Sequence, residues 1–365
     1  MTRTARALAL ALVAAAGCGG DGATGDATDA GPDGDALPDA TAGTVDLVVA
    51  QGHMGRTLVS CDRGATWTAD RSDDDAVRCF TGGVDCDHSP GAGRGLDGAA
   101  GRIWATFGWG QPGGIRTSTD GVTWTTALAD TTFGGVVALP DGATVIAAGH
   151  SPMRSTDGGA TWAAAGDPGL TVWNVRRAAY VPTAGGRVLM FGNDGEVREL
   201  VVSADGGATW SHASWPAACG VGDLQSSGGI VGTADRIVVV AGHTACTSTD
   251  GGATFTEAEV GGDVRGQVVW TGAEVWAWGA GVAWHSPDGV SWTEVPLAPA
   301  GLDLGAVTYA AGRFVGVRGG WQVWYQDQRF YGSDDGVTWA EAVAPGGHPI
   351  RFMSYVPGAV DTACR

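Results

Sequence analysis

The segment 318–329 concentrates side chains that could bind a ligand. It places tryptophan, tyrosine and arginine beside glutamine and aspartate in one turn-rich stretch. Flat aromatic faces next to amide and guanidinium donors suit sugars and other amphipathic ligands, although such rings also pack between structural units. Two more tryptophans occur in comparable stretches upstream. The candidate ligand-binding residues are therefore Trp109, Trp173, Arg318, Trp321, Trp324, Tyr325 and Arg329.

Carboxylates in similar segments raise glycoside hydrolysis as an alternative. That reaction commonly uses two carboxyl groups about 5–10 Å apart, a distance that the sequence does not give. The acidic residues concerned are Asp73, Asp74, Asp75, Asp85, Asp87, Asp194, Glu196 and Asp223.

Three histidines follow glycine at comparable positions, in Gly52-His53, Gly149-His150 and Gly242-His243. Imidazole is a common zinc ligand, so three histidines around one axis could form a metal site. These three fall in alternate units of the repeat array described below, which places them more than a ligand span apart. We predict no metal site and no cofactor, and assign the histidines to packing or hydrogen bonding at strand ends.

The ionisable residues exclude several classes of function. Asp and Glu number 39 against 21 Lys and Arg, which gives a formal net charge of −18, and all 21 are arginine. The absence of lysine excludes a lysine nucleophile, a Schiff-base lysine and a P-loop lysine. Nucleic-acid binding requires basic surface that displaces counterions, so no nucleic-acid partner is expected.

The N-terminal residues resemble an export signal followed by a tether. Two arginines precede the apolar run 7–16, which is too short to span a membrane. Cys18 then follows in a sequence similar to the bacterial lipobox, whose cysteine is lipidated after cleavage. We predict a lipoprotein-type signal peptide at 1–17, lipidation at Cys18, and a disordered acidic tether at 18–43. The protein would be exported and anchored to the cell envelope, at the outer membrane or cell surface, with the lipid as its membrane contact; secretion is the alternative.

One short motif recurs seven times between residues 60 and 339. Its fullest form is Ser-Thr-Asp-Gly-Gly-Ala-Thr-Trp at 155–162. Asp-Gly between β-prone runs predicts a tight turn, in which the carboxylate accepts turn N–H groups and glycine takes positive φ. We call each copy a repeat turn and assign it a structural role. The repeat-turn aspartates are Asp62, Asp120, Asp157, Asp205, Asp250, Asp288 and Asp335.

The repeats predict an all-β fold. Each unit reads as four strands, and the repeat-turn aspartates are 37–58 residues apart, as in propeller blades. The first unit lacks its innermost strand, whereas segment 350–360 follows the last repeat turn without a unit of its own. We expect this segment to pair beside 47–49, because closure removes exposed edges. Residues 44–365 would form a single seven-bladed β-propeller of four-stranded antiparallel blades, closed by the C-terminal strand joining blade 1.

Six cysteines remain beyond Cys18, an even number that an exported chain can pair. No Cys-x-x-Cys or Cys/His metal spacing occurs among them. The blade positions favour the pairs Cys79–Cys86, Cys219–Cys246 and Cys61–Cys364, and the alternative for each residue is a small buried thiol.

The repeat turn resembles the Asp-box, or BNR, repeat of sialidases, sortilin-type receptors, xyloglucanases and photosystem assembly factors. The resemblance implies ligand binding on the face opposite the repeat turns, and the class includes both enzymes and non-enzymes. Sialidases bind the substrate carboxylate with an arginine triad and use a Tyr/Glu pair. The sialidase Arg-Ile-Pro signature is absent here and no Tyr/Glu pair can be assigned. Arginines near predicted inner-strand starts could nevertheless cluster: Arg176, Arg177, Arg265 and Arg351.

The leading hypothesis is a monomeric, surface-anchored propeller that binds a carbohydrate or an envelope protein without catalysis. Every repeated residue has a structural explanation, and no complete catalytic set is recognisable. One alternative is a sialidase-like or xyloglucanase-like glycoside hydrolase that uses loop carboxylates. Another is an assembly factor for an envelope complex.

Overall fold

The repeats fold into seven blades. The computed structural model describes residues 43–52, 56–68, 92–108, 113–129, 131–221, 224, 228–318, 329–345 and 350–365. Its strands are β1 (Thr44–Gly52), β2 (Thr57–Ser60), β3 (Ala92–Ala99), β4 (Arg102–Gly108), β5 (Gly114–Ser118), β6 (Thr125–Ala129), β7 (Gly135–Ala138), β8 (Val145–Ala148), β9 (Met153–Ser155), β10 (Ala163–Ala164), β11 (Val175–Val181), β12 (Arg187–Asp194), β13 (Val197–Ser203), β14 (Ser211–His212), β15 (Gly229–Gly232), β16 (Ile237–Ser248), β17 (Thr256–Val264), β18 (Val269–Trp270), β19 (Val275–Gly279), β20 (Val282–Ser286), β21 (Thr293–Pro296), β22 (Leu304–Ala310), β23 (Arg313–Arg318), β24 (Phe330–Ser333), β25 (Ala340–Ala342) and β26 (Ile350–Val360). The described residues also form two short 3₁₀ helices, at Thr183–Gly185 and Asp361–Cys364. Within the described ranges, no helix is long and apolar enough to cross a membrane.

Each blade is an antiparallel sheet whose strands are consecutive in sequence, except in blade 1. Blades 2, 3, 4, 6 and 7 are β3–β6, β7–β10, β11–β14, β18–β21 and β22–β25. In blade 5, β16 occupies two positions: residues 237–240 pair with β15, and residues 242–247 pair with β17. Gly242, with a φ of 59°, begins the second half. The predicted all-β, seven-bladed architecture is confirmed.

The C-terminal strand closes the ring. β26 pairs antiparallel with β1, which places Leu47 opposite Val356 and Val49 opposite Ser354. Beyond the first repeat turn, the Thr68 N–H donates to the Val59 carbonyl at 2.9 Å, so this residue lies in the predicted outer position of blade 1. The predicted closure by the segment 350–360 is confirmed.

The repeat turns use their aspartates to hold the turn itself. In blade 3 the Asp157 carboxylate accepts the Thr161 N–H at 2.9 Å, the Thr161 hydroxyl at 2.6 Å and the Ser155 hydroxyl at 2.8 Å. These donors stabilise the ionised form and lower the pKa of Asp157 to about 2. Below the turn, Trp162 donates its indole N–H to the Gly159 carbonyl at 3.1 Å. These hydrogen bonds fix the start of the outermost strand of blade 3.

Arginines join neighbouring blades at the repeat turns. From the second strand of blade 2, Arg102 donates to the Gly158 carbonyl in the turn of blade 3. Arg154 likewise donates to the Gly206 carbonyl at 2.7 Å, from blade 3 to blade 4. Apolar side chains fill the space between the sheets, as Trp104 of blade 2 and Val136 of blade 3 do in one buried cluster. A planar guanidinium suits such fixed carbonyl contacts better than an ammonium group does.

Two disulfides occur in the described part of the chain. Cys61 bonds Cys364, beside the closing strand, with their Cα atoms 5.8 Å apart. Cys219 bonds Cys246 in blade 5, with a Cα separation of 5.9 Å. The predicted pair Cys79–Cys86 lies outside the described residues.

Candidate functional site: the central channel

A channel runs along the axis where the innermost strands of all seven blades meet. Its volume is about 360 Å³, and β3, β7, β11, β15, β18, β22 and β26 contribute lining residues. These strands approach closely: a Cβ added to Gly95 on β3 would lie 2.8 Å from the Gly135 Cα on β7. Glycine at such positions lets the strands converge around a narrow space. The channel is therefore concave, largely preformed and built by every blade.

The two ends of the channel differ in chemistry. We call the face that carries the repeat turns the lower face; the innermost strands begin at the opposite, upper face. Near their upper ends these strands carry Arg94 on β3 and Arg177 on β11. Farther down, the lining includes Tyr180, Tyr309 and Tyr355. The channel is thus cationic near its upper end and aromatic toward its lower end.

Arg177 reaches across the channel. Its guanidinium carbon lies 6.0 Å from the ring centre of Phe352, which belongs to blade 1, three blades away from Arg177 in blade 4. The guanidinium of Arg351 lies 5.7 Å from the same ring and donates to the Gly93 carbonyl at 3.0 Å. No hydrogen-bond acceptor for the Arg177 guanidinium is present among the described residues. Arg177 therefore directs donors in a planar fork into the channel.

Asp97 is the one carboxylate among the described residues that line the channel. Its oxygens accept the Gly98 N–H and the Ala138 N–H, both at 2.9 Å. Burial raises the pKa of Asp97 to about 6, although these N–H donors and the charge of Arg177 act in the opposite direction. Burial likewise lowers the pKa of Arg177 to about 10, opposed by Asp97. Both side chains line the channel inside the ring of blades, where burial disfavours their charged forms.

The arginine cluster expected from the sequence forms only in part. Arg177 and Arg351 flank Phe352 at the channel, whereas Arg265 is half-exposed and pairs with Asp263 at 3.6 Å and Asp303 at 3.8 Å. Sequence reasoning missed Arg94, Asp97 and Phe352 as channel residues. The glycines that flank Arg94 in the Ala-Gly-Arg-Gly-Leu-Asp-Gly-Ala sequence of β3 were the available signal, since crowded inner strands favour glycine.

Of the predicted ligand-binding residues, those that the structure describes lie away from the channel lining. Arg318 is the last residue of β23, and Arg329 directly precedes β24, both in blade 7. The Arg318 N–H donates to the Arg329 carbonyl at 2.8 Å. The Arg329 guanidinium also pairs with Glu341 at 3.2 Å. Trp173 lies between blades 3 and 4, so the structure does not bring it to the arginines of blade 7. Trp109, Trp321, Trp324 and Tyr325 lie outside the described residues.

Trp173 is exposed on a loop that other residues hold firmly. The Trp173 side chain is 74% exposed, and its ring stacks on His150 with centroids 4.3 Å apart. The Asp194 carboxylate accepts the Trp173 N–H at 2.7 Å. The Glu199 carboxylate accepts the Thr171 N–H at 2.8 Å and the Val172 N–H at 3.2 Å. We call residues 171–174 with this indole the Trp173 platform.

The glycine-linked histidines that the structure describes have separate surroundings. The His150 Nδ1 lies 3.0 Å from the Val172 carbonyl oxygen, so this histidine packs and hydrogen-bonds at a strand end. His243 is exposed at the bend of β16, and His53 lies outside the described residues. Across the described ranges, no group of three or more His, Cys, Asp or Glu side chains is arranged to hold a metal ion.

Comparison with known proteins relates the chain to solved propeller structures. No protein-family model and no curated protein matches it. The structure of YCF48 bound to D1 peptide aligns at 17% identity and a TM-score of 0.54, over 77% of this chain and 93% of that one. Apo AztD from Citrobacter koseri aligns at 8% identity and a TM-score of 0.55, over 88% and 99%. A GH74 xyloglucanase from Xanthomonas campestris aligns at 16% identity and a TM-score of 0.48, over 73% of this chain and 54% of the enzyme. At these identities the similarity concerns the fold.

Proposed function

We propose that this protein is an Asp-box-type propeller that binds a partner protein through a carboxylate, without catalysis. The observation that carries the proposal is Arg177, whose guanidinium extends over Phe352 into the channel with no described hydrogen-bond acceptor. A planar guanidinium recognises a carboxylate through two parallel N–H···O bonds. The aromatic ring beneath it fixes its orientation before a ligand arrives.

The dimensions of the channel limit what can enter. A space of about 360 Å³ admits a chain end or a few side chains but excludes a folded domain. An extended segment ending in a carboxylate would place that group at Arg177 and its apolar side chains toward the aromatic lower part. We therefore propose a C-terminal or acidic peptide segment of an envelope protein as the ligand.

Catalysis by paired carboxylates finds little support in this channel. Retaining and inverting glycosidases generally need two carboxyl groups, and the described channel lining offers Asp97 alone. Asp97 already accepts two backbone N–H groups. Binding of a ligand carboxylate at Arg177 requires no second carboxyl group in the channel lining.

A peptide ligand agrees with one structural neighbour. The solved YCF48 structure contains a bound D1 peptide, so a propeller of this fold accommodates a peptide in at least that case. We extend the mode of binding to this chain on the strength of Arg177, and retain the export and Cys18 anchor predicted above as part of the proposal. The function would then be to hold or assemble a protein at the cell envelope.

Binding of labelled peptides tests the proposal. Fluorescence anisotropy would compare a pool of short random peptides with free C-terminal carboxylates against the same pool amidated. We expect the acid pool to bind better. Replacing Arg177→Gln should weaken its binding by about 10- to 100-fold, because charged hydrogen bonds contribute roughly 1.5–3 kcal/mol.

Arg265→Gln is the matched control, because Arg265 is half-exposed and ion-paired away from the channel. It should bind the acid pool as the wild type does. Equal binding of acid and amide pools, or wild-type affinity in Arg177→Gln, would contradict the proposal.

A further inference from the structure

A second surface, independent of the channel, is built to present one aromatic ring. The Trp173 platform leaves 74% of the indole side chain exposed, a costly arrangement for the largest apolar side chain. The loop beneath it is nevertheless fixed. Asp194 accepts the Trp173 and Asn174 N–H groups at 2.7 and 3.3 Å, and the Asn193 N–H donates to the Asn174 carbonyl at 2.9 Å.

One face of the indole is already used and the other is open. His150 covers one face, with an angle of 28° between the rings, and its Nδ1 lies 3.0 Å from the Val172 carbonyl oxygen. The remaining face is a flat apolar surface whose position and tilt are set before any ligand arrives. Preorganisation of this kind lowers the entropic cost of binding.

The charges beside the platform are mainly negative. The Asp194 carboxylate accepts the Trp173 N–H, which lowers its pKa, and the pKa of Glu199 is lowered because its hydrogen-bond donors outweigh burial, so both carboxylates are ionised. The hairpin that carries these two carboxylates also carries Glu196 and one cation, Arg198. These two line a groove of about 320 Å³ together with Trp215. The surface therefore offers hydrogen bonds and aromatic rings with an excess of negative charge, which disfavours anionic ligands.

We propose that the Trp173 platform binds an uncharged oligosaccharide. A pyranose has one apolar face of C–H groups and a rim of hydroxyls, which matches one open indole face beside polar side chains. The groove lined by Glu196 and Arg198 belongs to the same hairpin and would receive further sugar units. A protein partner fits less well, since stable protein interfaces bury about 800 Å² per partner around a continuous apolar core. Here the exposed apolar side chains of the hairpin region are one indole and Val197.

Affinity electrophoresis tests this inference. The native protein would migrate through gels that contain hydroxyethylcellulose, xyloglucan, galactomannan or glycogen, with alginate as the charged polysaccharide. We expect retardation by at least one neutral polymer. Trp173→Ala should weaken that binding about tenfold, the effect of losing one buried indole face, and Trp173→Phe should retain part of it. Asp194→Ala should also weaken binding, because it releases the loop while keeping the indole.

Two control variants make the outcome specific. Val343→Ala removes an 83% exposed apolar side chain elsewhere and should migrate as the wild type does. Arg177→Gln should also leave retardation by neutral polymers unchanged, which separates this site from the channel. The inference is overturned if no neutral polymer retards the wild type, if Trp173→Ala is retarded equally, or if alginate alone binds and Arg177→Gln abolishes that binding.

Discussion

Arg177 gains its position from residues that are distant in sequence. Phe352 supplies the ring beneath its guanidinium, and Asp97 supplies the nearby opposite charge. Asp97 is partly neutralised near pH 6 because burial of the carboxyl group disfavours its charge. The state of this carboxyl group therefore controls how strongly the field at Arg177 attracts another carboxylate.

Binding of the acid peptide pool should strengthen as the pH falls from 8 to 5. Protonation of Asp97, whose pKa is about 6, removes a competing negative charge, while a C-terminal carboxylate stays ionised over this range. Asp97→Asn should bind more tightly than the wild type at pH 8 and show little pH dependence. Anisotropy titrations at several pH values measure this, and an equal slope in both proteins would contradict it.

At the scale of the element, the repeat turn is a self-contained unit of hydrogen bonds. Asp120 is the most enclosed example, 7% exposed, and accepts the Val122 N–H at 2.8 Å and the Thr123 N–H at 2.7 Å. Although burial raises the pKa of Asp120, these donors outweigh burial and lower it overall. Its ionised form is therefore favoured in the folded state.

Asp120→Ala should lower the free energy of unfolding by about 1–3 kcal/mol, because it leaves turn donors without an acceptor. The loss should be present at pH 7 and diminish as the pH falls below the ordinary aspartate value, since the folded pKa lies below it. Urea unfolding at pH 7 and pH 3 measures the effect. Asp303→Ala, at a half-exposed ion pair, is the control and should change stability by less than about 1 kcal/mol.

At the scale of the whole molecule, closure depends on the contact between the two ends of the propeller. β26 pairs along β1, the Thr66 backbone bridges to Val343 of blade 7, and the Cys61–Cys364 disulfide adds a covalent link. The disulfide spans 303 residues, against 27 for Cys219–Cys246. A longer loop restricts the unfolded chain more strongly.

Replacing Cys61 and Cys364 together with serine should lower the free energy of unfolding by about 2–5 kcal/mol. Loss of Cys219–Cys246 should cost about 2 kcal/mol less, because the entropic effect grows with the logarithm of loop length. Denaturant unfolding of the two double variants gives the comparison. A larger loss for the shorter loop would show that local strain or packing, rather than closure, dominates.

The proposed anchor is a separate property of the whole protein. Mass spectrometry of the mature N-terminus should find a lipid-modified Cys18, and Cys18→Ala should move the protein from the membrane fraction to the soluble fraction. An unmodified N-terminus at another residue would contradict the anchor and leave the channel and platform proposals intact.

The sequence by itself determined the repeat turns, the number of blades and the closing strand. Asp157 and Thr161 act within one turn, so their spacing along the chain carries the whole geometry. The segment 350–360 was recognisable because the first blade lacked a strand and this segment had no blade of its own. Each blade needs a fixed number of paired strands, so a missing strand and an unassigned strand can be recognised from the repeats in the sequence.

Only the tertiary structure decided which side chains meet. Arg177 and Phe352 come from blades on opposite sides of the channel, and Trp173 is held by carboxylates from the following hairpin. Neither contact has a fixed sequence spacing, because each depends on how far a side chain extends after the ring has closed. The sequence placed function among the tryptophans of the predicted upper loops, whereas convergence of seven strands created the cationic channel.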